Sequence, residues 1–119
     1  MDTKEWLTQG KTINREIRAL KDAYEKAEKL YQAYGTPIGK KYKDVLEAKI
    51  SELTKTHTEI LSAIYKVDNN ILRTLLIERY INNKTWENVA LRLGYDFYHV
   101  IKHLYPKAVA EIEKIKKAS

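Results

Sequence analysis

The residues best suited to chemistry gather in one stretch of the chain, from Lys84 to Lys107. Tyr98, His99, Lys102 and His103 follow Asp96, a residue type that caps helices. On a helix starting there, Phe97, Val100, Ile101 and Leu104 take the core side and the four polar residues point outward. His99 and Lys102 stand three apart and can reach base edges together, while Tyr98 can offer its hydroxyl to a phosphate or stack its ring. Lys84, Thr85 and Arg92 fall at the start and flank of the preceding helix, where backbone phosphates are met, and Lys107 adds a further cation. Each of these side chains also has a plainer reading as solvated surface. The chemistry is recognition rather than bond making. The sequence holds no P-loop, no Gly-x-Ser-x-Gly, no His-Glu-x-x-His and no acidic metal-binding cluster, so neither an enzyme activity nor a cofactor nor a metal is expected.

Positioning these groups requires two short crossing helices. Thr85 can cap a helix beginning at Trp86, with Asn88 where a capping box would carry Glu or Gln. Ala90 is small enough for close crossing, Gly94 can take the left-handed backbone of a tight turn, and Val100 points back into a core shared with Val89, Leu93 and Phe97. Small-x3-Gly-x5-apolar between two caps is the pattern of a helix-turn-helix, with a recognition helix over residues 96–105. Pro106 lacks an N–H and its ring opposes the Lys102 carbonyl, which predicts a kink or a helix restart near 103–106. Trp86, next to the cap, is expected to pack in the core.

The run Leu75-Leu-Ile-Glu-Arg-Tyr-Ile-Asn-Asn-Lys-Thr-Trp-Glu-Asn-Val-Ala-Leu-Arg-Leu-Gly-Tyr95 resembles DNA-binding region 4 of sigma-70 factors. It is most similar to the sigma-region-4-like phage and prophage regulators of Gram-positive bacteria, the ArpU/RinA-type late activators and a related phage family. That last family also opens on a Lys-Glu-Trp-Leu-like start, here Lys4-Glu5-Trp6-Leu7, followed by two long helices. The resemblance implies DNA binding and transcriptional control; the N-terminal helices are expected to dimerise or to engage RNA polymerase. The chain departs from the family in an extra residue between Val100 and Ala108, and in Asp96-Phe97-Tyr98-His99 where Ser followed by Arg or Lys is more usual. An acidic cap beside phosphates weakens binding.

Upstream, Trp6, Gly10, Ile13, Ile17, Leu20, Tyr24, Ala27 and Tyr31 alternate steps of four and three, predicting one helix over about 3–33. Gly35-Thr36-Pro37-Ile38-Gly39 reads as a loop. Leu46, Ile50, Leu53, His57, Ile60, Ile64 and Val67 then repeat the pattern, predicting a second helix over about 41–66. Two such helices joined by a short loop return alongside each other as a long, coiled-coil-like antiparallel hairpin. His57 reads as a register-setting polar residue, and Tyr24, Tyr31, Tyr34, Tyr42 and Tyr65 as filler of the seam. Asp68-Asn69-Asn70 marks the next boundary. The expected architecture is all-α: residues 1–67 a hairpin for oligomerisation or partner binding, residues 68–119 a DNA-binding helix-turn-helix.

Composition narrows the class further. Gly and Pro are too few for the turns of an all-β chain, and Cys is absent, which excludes disulfides and thiolate chemistry. Membrane spans need roughly 18–20 apolar residues in a row, which the sequence nowhere approaches, and its start is no signal peptide, so a cytoplasmic protein is expected. The formal charge of +6 is spread evenly, with 13 Lys and Arg against 10 Asp and Glu in residues 1–66 and 9 against 6 in 67–119. A mild basic excess suits double-stranded DNA without specifying it. A single module with few cations binds weakly, so a homodimer through the hairpin is expected. Two other readings stay open: a small-terminase-like packaging or structural helical protein, and a sigma-like module that binds protein rather than DNA.

Overall fold

The computed structural model describes residues 2–35 and 37–118. The chain is all-α, 88% helical with no strand among the described residues. The order is α1 (Thr3–Tyr34), α2 (Pro37–Tyr65), α3 (Asn70–Leu76), a π-helical segment (Ile77–Ile81), α4 (Trp86–Leu93), α5 (Phe97–His99), a second π-helical segment (Val100–Leu104) and α6 (Tyr105–Ala118).

Local chemistry accounts for most of these boundaries. Asp2 caps α1 by accepting from the Glu5 N–H at 2.8 Å. Gly35, at φ 61°, ends the helix in the left-handed conformation, its N–H donating to the Tyr31 carbonyl. Thr36 lies outside the described residues, and the rest of the expected loop is shorter than its Gly and Pro content suggests. α2 begins at Pro37, not near 41, because proline at a first helical position gives up only an N–H that has no intrahelical acceptor. Asn69 caps α3 through bonds from Ile71 and Leu72 at 3.0 and 3.1 Å. Arg73 reaches back to the Val67 carbonyl at 2.8 Å and ties α3 to the segment that follows α2.

α1 and α2 pack along each other and set the long dimension of a molecule of 57 × 31 × 21 Å. Their buried residues are concentrated where the other helices also pack. Leu7, Ile13, Ile17, Ile60, Ala63, Ile64 and Val67 join Leu72, Leu75, Leu76, Val89, Val100, Ala108 and Ile112 in one continuous core. Two cation–ring contacts brace the N-terminal end of α1 on α6: Lys4 Nζ lies 5.3 Å from the Tyr105 ring centre, and Lys116 Nζ lies 4.5 Å from that of Trp6. Toward the linked ends of α1 and α2, Leu30, Tyr34, Tyr42 and Val45 are exposed. The tyrosines therefore divide, contrary to expectation: Tyr24 and Tyr31 are half-buried with Lys43 above their rings, whereas Tyr34, Tyr42 and Tyr65 face outward. His57 is half-buried in α2, and its Nε2 is buried with no hydrogen-bond partner.

No described helix is long and apolar enough to cross a membrane.

Candidate nucleic-acid interface

Both caps expected in the C-terminal region are present. Thr85 Oγ1 accepts from the Asn88 N–H at 3.2 Å. Asp96 Oδ1 accepts from Tyr98 and His99 at 2.8 and 3.2 Å. The Asp96 charge is thereby turned onto the start of its own helix, where the exposed N–H groups stabilise it. Gly94, at φ 77°, turns the chain between α4 and α5 with its N–H on the Ala90 carbonyl at 3.0 Å. Ala90 and Val100 are buried where the two helices meet.

The run from Phe97 onward is helical to Ala118 but changes register inside. Over Val100–Leu104 the helix is π-type, with the Tyr105 N–H bonded to the Val100 carbonyl, and α6 restarts in α register at Tyr105. A π segment accommodates one extra residue. The restart expected near Pro106 is thus a change of hydrogen-bond register, and Pro106 sits in the first turn of α6, where its missing N–H is least disruptive. Phe97 departs from expectation. It is 44% exposed and outside the buried core, at the first position of α5.

Two surfaces result. The first is the outer face of α5 and the π segment. Tyr98 is 66% exposed, and Lys102 and His103 are exposed as well. Lys102 Nζ lies 5.5 Å from the Tyr98 ring centre. Tyr95, His99 and His103 form a ladder, with ring centres 5.2 Å apart at each step. Of the residues anticipated from the sequence, Tyr98, His99, Lys102 and His103 are therefore brought together. Lys107 is exposed further along on α6.

The second surface is a cleft of about 920 Å³ lined by α1, the first π segment and α4. It gathers Lys84 and Arg92, with Asn88 between them on α4's side, and Asn14 and Arg18 from α1. Its carboxylate, Glu78, is only 8% exposed and accepts from the Asn82 amide at 2.9 Å. Among the described residues the ion pairs are Lys43–Glu28, Lys49–Glu52 and Lys114–Glu111, none of which involves the cations of this cleft. Nearby, partial burial and, after it, the charges of Arg79 and Arg15 hold the Lys11 ammonium below its usual pKa.

Trp86 is half-buried, edge-on to Tyr105 at 4.6 Å, with the Arg79 guanidinium 4.5 Å from its ring centre. Arg79 also donates to the Lys84 carbonyl at 3.0 Å, fixing the chain just ahead of the Thr85 cap. Behind it, the Tyr80 and Tyr105 hydroxyls meet at 2.6 Å, joining the first π segment to the start of α6. Burial and this hydrogen bond raise the Tyr80 pKa well above its usual range. Sequence reasoning missed Arg79, Arg18 and Asn14. A partial signal was present in Lys11, Arg15 and Arg18, which recur at helical spacing along α1. No protein-family model, curated protein or solved structure matches the chain.

Proposed function

We propose that the chain is a sequence-specific, double-stranded-DNA-binding transcriptional regulator of phage or prophage type and not an enzyme. In this reading α4 and the helix that begins at Phe97 form a helix-turn-helix, and residues 96–105 enter the major groove. The observation that carries it is the open outer face of α5 and the adjoining π segment. There Tyr98, Lys102 and His103 are exposed around His99, above a buried Val100. Support also comes from the turn: left-handed Gly94, buried Ala90 and capped helices on both sides are what a tight crossing of two such helices requires. His99 and Lys102 would meet base edges, Tyr98 a phosphate or a base face, and Lys84, Arg92 and Lys107 the backbone. Thr85 and Asp96 act as caps that hold these groups in place.

A helical hairpin of α1 and α2 would then serve as the oligomerisation or partner-binding element. A homodimer through it would present two reading faces, and RNA polymerase is a second candidate for its exposed apolar residues. The test is fluorescence anisotropy of a labelled duplex library, followed by sequencing of the retained fraction. Enrichment of one motif, lost in His99→Ala and Lys102→Ala, supports the reading; uniform recovery of all sequences refutes specificity.

One observation favours a second reading. Leu91, which lines the cleft, is 79% exposed and Phe97 is 44% exposed, and exposed apolar side chains suit a protein partner. A sigma-like module that docks on protein would lose its partner in Leu91→Ala and bind duplexes no better than an unrelated basic protein.

A further inference from the structure

The cations across the second surface come from parts of the chain far apart in sequence. Arg18 belongs to α1, Lys84 to the segment before α4, and Arg92 to the last turn of α4. The cleft between them is open and about 920 Å³. Asn14 and Asn88 add amide donors to its walls, and the Glu78 carboxylate is engaged by Asn82. Upstream along α1, Lys11 and Arg15 recur at helical spacing with Arg18, and Lys11 is held below its usual pKa first by partial burial and then by the charges of Arg79 and Arg15. A folded protein gains nothing in stability from such crowding. A row of fixed phosphates would relieve it.

We infer that this cleft is a phosphodiester-backbone channel in which Arg18 of α1, facing Lys84 and Arg92, holds the strand flanking the base pairs read by the α5 surface. The inference rests on the DNA-binding reading and adds to it. α1 becomes part of the nucleic-acid interface instead of a scaffold alone, and the footprint extends beyond the recognition helix. Contacts of this kind position a protein on a duplex but carry no base preference.

The experiment measures duplex affinity by anisotropy over a series of salt concentrations, for wild type and for Arg18→Ala, Arg18→Ala/Arg92→Ala and Lys26→Ala. Lys26 is an exposed cation of α1 that does not line the cleft. Each phosphate contact contributes about −0.9 to the slope of log K against log salt. Arg18→Ala should make the slope shallower by about 0.9 and the double variant by about 1.8, with equal losses on every duplex sequence. Lys26→Ala should match wild type. Because the chain has no cysteine, Arg18→Cys gives a unique site for an iron–EDTA label. That label should cut the bound duplex at one flank of the protected site, where a label on Lys26→Cys does not. A slope unchanged by Arg18→Ala in a wild type that binds duplex overturns the channel and leaves the DNA-binding reading standing. An equal effect from Lys26→Ala, or equal cutting from both labels, also overturns it. A wild type that binds no duplex at all removes both.

Discussion

Two glycines offer a test of the packing with opposite signs. Gly10 is buried two turns into α1, and a methyl group built there would lie 3.5 Å from Ile60 Cγ2 and 3.6 Å from the Tyr80 carbonyl oxygen. Both are ordinary van der Waals separations, so Gly10→Ala fills space without forcing a neighbour aside. Replacing a helix-interior glycine by alanine is worth about 1 kcal/mol, and burying one methyl adds at most ~0.8 kcal/mol. Gly10→Ala should therefore stabilise the fold by about 1–2 kcal/mol. At Gly94 the space is equally open, with nothing within 4 Å of the added carbon, but φ is +77°. There the cost is purely conformational, about 1–2 kcal/mol for an L-residue in the left-handed region. Urea unfolding followed by circular dichroism reads both variants. With an m-value on the order of 1–2 kcal/mol per molar, the midpoints should separate by ~1 M or more, Gly10→Ala above wild type and Gly94→Ala below. A destabilised Gly10→Ala would refute the reasoning, since it would mean that α1 crosses Ile60 and Tyr80 more closely than this geometry allows.

Further outcomes follow from the caps, the buried hydroxyl pair and the crowded cations. Asp96→Ala removes the acceptor for two N–H groups and should cost about 1 kcal/mol by urea unfolding, with Asp96→Asn or Asp96→Ser recovering most of it. Tyr80→Phe removes one half of the 2.6 Å hydroxyl pair between the first π segment and α6 and should cost on the order of 1 kcal/mol. Tyr105→Phe, which leaves the more deeply buried Tyr80 hydroxyl without its partner, should cost more; equal losses would show that the pair carries no such asymmetry. Lys11 has a folded-state pKa below its unfolded value, so the folded state resists its protonation and stability rises as pH increases through the alkaline lysine range. Lys11→Gln should raise the neutral-pH melting temperature and flatten that rise, and added salt should shrink the difference between variant and wild type.

The parts of the structure visible in the sequence are those decided by near neighbours. Asn69, Thr85 and Asp96 cap helices because their short side chains reach N–H groups two or three residues on, and Gly35 and Gly94 turn the chain because they lack a β-carbon. Gly10, Ile13, Ile17, Ile60 and Ile64 are buried as their spacing predicts. Leu7 and Ala63 are also buried, although they lie off the heptad stripes. A two-helix seam needs only a narrow apolar stripe, whereas α1 and α2 also pack against α6, which widens the buried face. Phe97 is exposed at the first position of α5 although its spacing from Val100 predicts burial, and nothing in the structure explains the difference. The cleft was illegible for another reason. That Arg18 and Arg92 line one cleft depends on how α1 packs against the π segment that leads into α4, a relation between segments that neither segment's own pattern encodes.

The most direct measurement is equilibrium binding of the purified chain to duplex DNA as salt is raised. The account predicts binding that weakens steeply and linearly in log–log form, with sequence preference removed by His99→Ala and Lys102→Ala while the residual nonspecific affinity persists. Affinity for duplex DNA that is absent at low salt, or is unaffected by those two substitutions, would contradict it.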